Sequence, residues 1–438
     1  MILLSITTTT IISSVVVFLI VLFTLLSLLL FAKAKLSPSG KIKIKINEEK
    51  IIEVDGGGTL LSTLSESGIF LPSACGGGGT CVQCTCQVSS GGGSILPTEE
   101  PYFSRKEIAD NYRLGCQVKV REDMEIYIPE EIFGIKEWEA TVVSNYNVAT
   151  YIKELIIEIP EDMNYKAGGY LQIKIPKSEI KFADMDISAH PQDHKGEPNK
   201  FEKDWEEGDF AIRNLVMKNE EEIVRAYSMA SYPAEGKKIM LNVRIAAPPW
   251  DRDRNTWADI NPGIASSFMF NCKPGDTVTI SGPYGEFFIN DSDAEMLYIG
   301  GGAGMAPMRS HLYQLFKTLK TGRKVTFFYG GRSRAELFYI EHFRSLEKEF
   351  PNFKFYLVLS DAKENDNWKE MKDLNDQGDG FVGFVHQVVI DQFLSKHEFP
   401  EDLELYFCGP PMMNQAALKM ADDWGIPDEN VRFDDFGV

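Results

Sequence analysis

Four cysteines and four consecutive glycines fall within fifteen residues, ACGGGGTCVQCTCQV, from Ala74 to Val88. Thiols at this density bind something, become oxidised, or are a liability. The chain holds seven cysteines, Cys75, Cys81, Cys84, Cys86, Cys116, Cys272 and Cys408. An odd count with one tight cluster is not the pattern of a secreted disulfide framework, and indicates a metal or redox site plus separate thiols. Cys75, Cys81 and Cys84 are spaced C-x5-C-x2-C, and the fourth member is either Cys86 next door or Cys116 downstream. Four thiols from one short loop would suit a tetrahedral zinc. A flat two-iron, two-sulfide rhomb instead takes thiolates from opposite sides, three from a loop and one from a separate strand. The run Gly76 to Gly79 favours the second, because glycines let the backbone curl with its N–H groups aimed at sulfur.

The flanking sequence places this loop in a small domain over residues 34–131. KIKIKI (Lys41 to Ile46) alternates polar and apolar with period two, which predicts a strand. KIIEV predicts a second strand, TLLSTLSESGI a short helix ended by Gly68, and YRLGCQVKV a returning strand that carries Cys116. From 132 to 290, regular short strands with turn signals predict an antiparallel barrel. Between 177 and 222 the pattern dissolves, and this stretch is expected to be a surface insertion. Pro191 breaks any helix that would align His190 with His194, so no metal site is expected there. From 291 to 438, apolar strands alternate with helical stretches, as in a doubly wound α/β domain with a parallel sheet.

Charge and hydropathy restrict the partners. The formal net charge is -19, which argues against nucleic acid, since binding it requires a positive field. From Ile2 to Ala32 no residue is charged. A helix from Ile11 to Ala32 would span roughly 33 Å at about 1.5 Å per residue, enough to cross a hydrocarbon core. No basic segment precedes the run and it is longer than the apolar part of a signal peptide, so residues 1–33 are expected to be a retained transmembrane anchor. Lys33, Lys35, Lys41, Lys43 and Lys45 then place the rest of the chain in the cytoplasm.

The cysteine loop resembles the plant-type ferredoxin signature C-x4-C-x2-C…C, with one extra residue in the first gap and an extra thiol at Cys86. The resemblance implies that Cys75, Cys81, Cys84 and Cys116 ligate a 2Fe-2S cluster and that Cys86 packs as a small hydrophobe. RAYSMAS (Arg225 to Ser231) resembles the R-x-Y-S motif of the ferredoxin-reductase family. That family's use of the motif implies FAD, with Arg225 on the pyrophosphate, Tyr227 stacked on the isoalloxazine and the Ser228 hydroxyl near the nitrogen that accepts hydride. On a strand Arg225 and Tyr227 share a face and Ser228 does not, so the strand must end or bend there. NPGIASSF is similar to the family's second phosphate element, where Gly263 starts a helix and Ser266 or Ser267 faces the pyrophosphate. GGGAGMAP places Gly300, Gly301, Gly302 and Gly304 between a strand and a helix, where a dinucleotide's pyrophosphate lies. In CGPPMMN the family brings the thiol, here Cys408, towards the nicotinamide, with Gly409 and Pro410 forming the turn. Phe436 is expected to cover the free flavin face, as terminal aromatics do in that family.

The three regions, the uncharged N-terminus, CGGGG, RAYSMASYP, GGGAGMAPMRSH, CGPPMMN and the terminal DDFG together resemble the family of F subunits of sodium-translocating NADH:quinone reductases. The resemblance implies an NADH:quinone oxidoreductase of the translocase class: an electron-entry component in the bacterial inner membrane, single-pass, with its domains in the cytoplasm. Electrons would pass from NADH to FAD to 2Fe-2S, then to other membrane subunits and finally quinone. The alternative is a membrane-tethered NAD(P)H reductase that donates electrons to an oxygenase. The fold expected is multidomain α+β and α/β: an N-terminal transmembrane helix, a β-grasp ferredoxin domain, an antiparallel FAD-binding β-barrel and a doubly wound NAD-binding domain.

Overall fold

The computed structural model describes residues 14–28, 41–207 and 211–436. Helix α1 covers 14–28 with its large apolar side chains exposed. Fifteen residues reach only about 22 Å, short of a hydrocarbon core of about 30 Å. Among the described residues no helix is long and apolar enough to cross a membrane, so the expected transmembrane helix is not seen. The rest of the expected span, 11–13 and 29–32, lies outside the described residues.

The chain divides into two compact units, 41–72 with 77–134, and 73–76 with 135–436, apart from α1. The first contains β1 (Lys41–Ile46), β2 (Lys50–Asp55), α2 (Leu60–Glu66), β3 (Thr85–Ser90), α3 (Arg105–Ala109), β4 (Tyr112–Leu114) and β5 (Met124–Tyr127). The order β2-β1-β5-β3-β4, with β1 and β5 parallel, is the mixed sheet expected of a β-grasp. The alternation in KIKIKI does what period two requires: Ile42, Ile44 and Ile46 are buried and their lysines face outward. Thr59 and Ser62 form a reciprocal cap on α2.

The second unit begins with β6 (Lys136–Ala149), β7 (Ile152–Glu158) and β8 (Tyr170–Ile175). A hairpin of β9 (Ser178–Lys181) and β10 (Val216–Asn219) encloses α4 (Glu202–Glu206). Then come β11 (Ile223–Ser228), β12 (Lys238–Arg244), the short pair β13 (Trp250–Asp251) and β14 (Thr256–Trp257), α5 (Ile264–Asn271) and β15 (Thr277–Tyr284). The sheet β11-β8-β15-β6-β7-β12 is antiparallel throughout but does not close into the expected barrel. β11 ends at Ser228, and beyond it the chain meets β12 through the bridge Met229–Leu241 and through the Ala230 and Ser231 N–H groups on Met240 O at 2.7 and 3.4 Å. The 177–222 stretch is not a loose excursion: Phe182, Phe201 and Trp205 from it are fully buried, and Trp205 stacks on Phe270 of α5 at 5.8 Å.

The remaining sheet holds β16 (Met296–Gly301), β17 (Val325–Gly331), β18 (Phe353–Leu359), β19 (Phe381–Val382), β20 (Glu404–Cys408) and β21 (Val431–Asp434). All neighbours are parallel in the order β19-β18-β17-β16-β20-β21. α6 (Met305–Tyr313) and α7 (Ile340–Glu349) cover the face of Met296, Tyr298 and Phe327, and α8 (Val385–Gln392) and α9 (Pro411–Asp423) cover that of Leu297, Ile299 and Phe328. This is the doubly wound arrangement, and its order reverses beside β16.

Candidate functional site

Ligands of open α/β sheets bind outside the carboxyl ends of strands where the order reverses. Here those ends are Gly300–Gly301 of β16 and Cys408–Gly409 of β20, paired in register at Gly300 and Cys408. The turn into α6 requires glycine at 304: a Cβ there would lie 2.1 Å from the Cys408 carbonyl oxygen. Gly301 lies against the Pro410 ring and the Met413 side chain at the start of α9, so the two turns pack as one cradle. Gly302 completes it in a left-handed conformation, φ 54°. The predicted Gly300, Gly301, Gly302, Gly304, Gly409 and Pro410 therefore come together.

Cys408 is fully buried, and burial, aided by Asp434 and Asp435, holds its thiol well above the usual range. It is a neutral wall of the cradle. β21 pairs with β20 so that Asp434 lies beside Cys408. The Ser228 hydroxyl donates to Asp434 Oδ2 at 2.6 Å. Ser228 is the last residue of β11, so the strand ends where the motif requires it to. Desolvation, opposed by the Ser228 hydrogen bond, raises the Asp434 carboxyl to about 6. Asp434 is the residue that sequence reasoning missed: it lies within DDFG, but nothing local points from there to Ser228. Asn414 of α9 donates to the Asp434 carbonyl at 3.2 Å and steadies it. Phe436 is 46% exposed, and it is Phe433 that stacks on Phe407, at 5.2 Å.

Arg225 and Tyr227 are half-buried on β11, opposite Ile173 and Leu171 of β8. Among the described residues no carboxylate pairs with Arg225, and its guanidinium donates to the neighbouring Val224 carbonyl. That leaves its charge for an anion, as a pyrophosphate requires. Gly263 caps α5 and lies against Ala246, where a Cβ would meet Ala246 Cβ at 2.6 Å. Ser266 Oγ is occupied, accepting from Ala246 N–H at 3.2 Å and donating to Gly263 O at 3.1 Å. Ser267 is fully buried, and among the described residues its hydroxyl has no hydrogen-bond partner.

In the first unit Cys84 and Cys116 are buried, and their side chains hydrogen-bond each other. That bond, burial and nearby Cys81 push the Cys84 thiol far up, as expected of crowded sulfurs. Gln117 Nε2 donates to Cys116 Sγ at 3.7 Å. The loop turns on Gly77 and Gly79, both at positive φ. Cys75 is half-buried within 73–76. Among the described residues no three His, Cys, Asp or Glu side chains group around one ion. Ligation of a two-iron cluster by four cysteines gives each iron only two protein sulfurs, so a thiol pair is the unit to look for, and Cys84–Cys116 is one. Cys86 faces the core from β3, 2% exposed, its thiol pushed up to about 12 by burial.

Residues 44–121 match the 2Fe-2S iron-sulfur cluster binding domain, 207–289 the oxidoreductase FAD-binding domain and 298–419 the oxidoreductase NAD-binding domain. A cytochrome P450 reductase from Amycolatopsis has a similar fold, with a TM-score of 0.60 at 22% identity over 90% of this chain and 98% of that one. So does the ferredoxin reductase of carbazole 1,9a-dioxygenase, with a TM-score of 0.55 at 21% identity over 91% and 98%. Closer in sequence are proteins named as the F subunit of Na(+)-translocating NADH-quinone reductase. That of Neisseria meningitidis is 50% identical over 419 residues, 95% of this chain and 97% of its own. That of Pseudomonas aeruginosa is 46% identical over 419 residues, 95% and 96%. With the cluster, flavin and nucleotide domains in this order and half of its residues shared over nearly its whole length, the chain belongs to the family of F subunits of Na(+)-translocating NADH-quinone reductase.

Proposed function

We propose that this chain oxidises NADH and delivers the electrons singly, through a 2Fe-2S cluster, to a membrane partner within a sodium-translocating NADH:quinone reductase, with quinone as final acceptor. The observation that carries the reading is the meeting of Ser228, from the flavin-binding sheet, with Asp434, next to Cys408 in the nucleotide-binding sheet. FAD, when bound, supplies the step from hydride to single electrons. The cradle of Gly300–Gly304 and Cys408–Pro410 holds the dinucleotide by backbone groups, and buried, neutral Cys408 keeps water from its floor. Arg225 and the start of α5 hold the flavin pyrophosphate, and Tyr227 offers its ring. Asp434 sets the direction of the Ser228 proton. Ionised, it holds that proton at Oδ2 and leaves Ser228 Oγ an acceptor. Protonated, it donates to Ser228 Oγ and frees the hydroxyl to donate.

Cys75, Cys81, Cys84 and Cys116 are the cluster ligands in this reading, over a domain of 34–131, with the flavin and nucleotide domains at 132–290 and 291–438. Residues 1–33 anchor the chain in the bacterial inner membrane beside the other subunits, with the domains in the cytoplasm. Phe436, exposed at the end of the described chain, covers the flavin until nicotinamide displaces it.

The test uses the full chain in its complex. Cys116→Ala should abolish the cluster's EPR signal and quinone reduction while NADH oxidation by an artificial acceptor continues. Cys86→Ala should keep all three. Quinone reduction at the native rate in the Cys116 variant, or loss of the signal in the Cys86 variant, would sink the proposed electron path.

A further inference from the structure

Helix α6 begins at the nucleotide cradle, and its second turn grips the flavin domain with consecutive side chains. Arg309 donates through one terminal nitrogen to the Ala230 carbonyl at 2.7 Å and to Glu235 Oε2 at 3.0 Å, and through the other to Glu235 Oε1 at 2.7 Å. Ser310 Oγ donates to the Ser231 carbonyl at 2.7 Å and accepts from Gly168 N–H at 3.3 Å. His311 Nε2 donates to the Phe287 carbonyl at 3.0 Å, and burial keeps its ring neutral, so the Tyr298 hydroxyl donates to Nδ1 at 3.4 Å. All three residues are at most 4% exposed. Glu235 Oε2 also accepts from Tyr232 N–H at 3.1 Å, which ties the carboxylate to the same segment.

The segment gripped is the one that matters. Ala230, Ser231 and Tyr232 closely follow Ser228, and Gly168 precedes Tyr170, the β8 residue opposite Ser228. One rigid turn therefore links the backbone that cradles the dinucleotide to the strand end that carries Ser228. The linkage is polar and directional, with a planar guanidinium fork on a carboxylate, so it fixes distance as well as contact.

We propose that Arg309, Glu235 and Ser310 are positioning residues for hydride transfer: they set the separation between the nicotinamide in the β16–β20 cradle and the flavin at Ser228, without touching either. This rests on the reading of those two sites given above. Hydride transfer is steep in distance, and a misplacement of about 1 Å costs on the order of 100-fold in rate. Substrate affinity is set by the cradle and by displacement of Phe436, and should not respond to these three residues.

Stopped-flow reduction of the full, flavin-loaded protein by NADH, and by NADH deuterated at the transferred position, separates the two effects. If the native protein fails to reduce its flavin with NADH, the functional reading itself falls, before any variant is compared. Given native reduction, Glu235→Gln and Ser310→Ala should lower the limiting rate by about 10- to 100-fold. The NADH dissociation constant should stay unchanged, the primary isotope effect should rise, and the long-wavelength nicotinamide–flavin charge-transfer band should weaken. Arg309→Lys keeps the charge but not the fork and should fall between native and Glu235→Gln. Native limiting rates and an unaltered charge-transfer band in fully flavinated Ser310→Ala and Glu235→Gln proteins overturn the proposal. So does a loss of rate that only follows loss of flavin or of NADH affinity, because that is what a purely structural role would give.

Discussion

Two buried arginines, each forked onto a glutamate, hold the two units in different ways. In the first unit Arg113 and Glu99 are 6% and 0% exposed, and every polar atom is used. Arg113 Nε and one terminal nitrogen bond the carboxylate, and the other terminal nitrogen donates to the Gly92 and Gly93 carbonyls at 2.9 and 3.0 Å. Glu99 also accepts from Leu114 and Leu96 N–H at 2.9 and 3.0 Å. In the second unit Arg309 and Glu235 are 5% and 28% exposed, and among the described residues Arg309 Nε has no partner. The first pair closes a loop upon itself, a few residues before Cys116. The second joins elements that belong to different folding domains and keeps some slack. A fully satisfied pair specifies one conformation, whereas a partly open one suits a joint.

The largest loss should follow removal of one partner of the closed pair. Arg113→Leu leaves Glu99 buried and unpaired, which should cost about 3–5 kcal/mol. Thermal unfolding should show the first unit melting earlier, with loss of cluster absorbance and with NADH oxidation by an artificial acceptor intact. A variant as stable as the native chain would mean that the closed pair contributes nothing. Glu99 favours ionisation despite burial, because Arg113 and the two N–H groups outweigh the desolvation.

Acid sharpens the contrast next. His311 beside the joint is pushed down to about 4 by burial, so the folded chain keeps it neutral where the unfolded chain binds a proton. The unfolded histidine titrates near 6.5, so its own contribution should decline as pH falls from there towards 4, by up to about 3 kcal/mol. Asp434, raised to about 6 in the folded chain, contributes in the opposite direction away from the joint. Glu99 has a lowered carboxyl, so its contribution is present above an unfolded value of about 4.3 and is lost only as pH falls below it. The joint should therefore loosen before the closed pair. Unfolding followed separately by flavin fluorescence and cluster absorbance from pH 7 to 4 should show the flavin signal weakening first. The reverse order would contradict both assignments.

The smallest effect belongs to Phe436, outside both pairs. If Phe436 covers the flavin as proposed, Phe436→Ala removes a stacking contact of about 0.5–1.5 kcal/mol. It should tighten nicotinamide binding and slow product release with flavin content unchanged. Unaltered affinity and release rates would leave Phe436 as a mere surface residue.

What could be read from the sequence followed from local physics. KIKIKI, the strand–glycine–helix turn at Gly300–Gly304 and the end of β11 at Ser228 each depend on neighbours a few residues away. What could not be read depends on distant partners. Ser228 and Asp434 are 206 positions apart, and Arg309 and Glu235 are 74 apart. Neither pair leaves a periodic trace. The barrel did not close because β11 ends at Ser228 and continues to β12 as the single bridge Met229–Leu241, which strand spacing does not encode. The 177–222 stretch lacks alternation because its aromatics, Trp205 above all, pack individually into an existing core instead of lining a strand face.

The separation of Ser228 from Asp434 also sets a timetable. A ribosome adding about 5–20 residues per second needs roughly 10–40 s to travel between them. Once β15 has been made, the flavin-binding sheet can fold while the carboxylate that will accept from Ser228 is still about 150 residues away. The last edge strand of the nucleotide sheet then slots in beside Cys408 and supplies the missing carboxylate. Among the described strands, the one that completes the Ser228 contact is thus the last to be made.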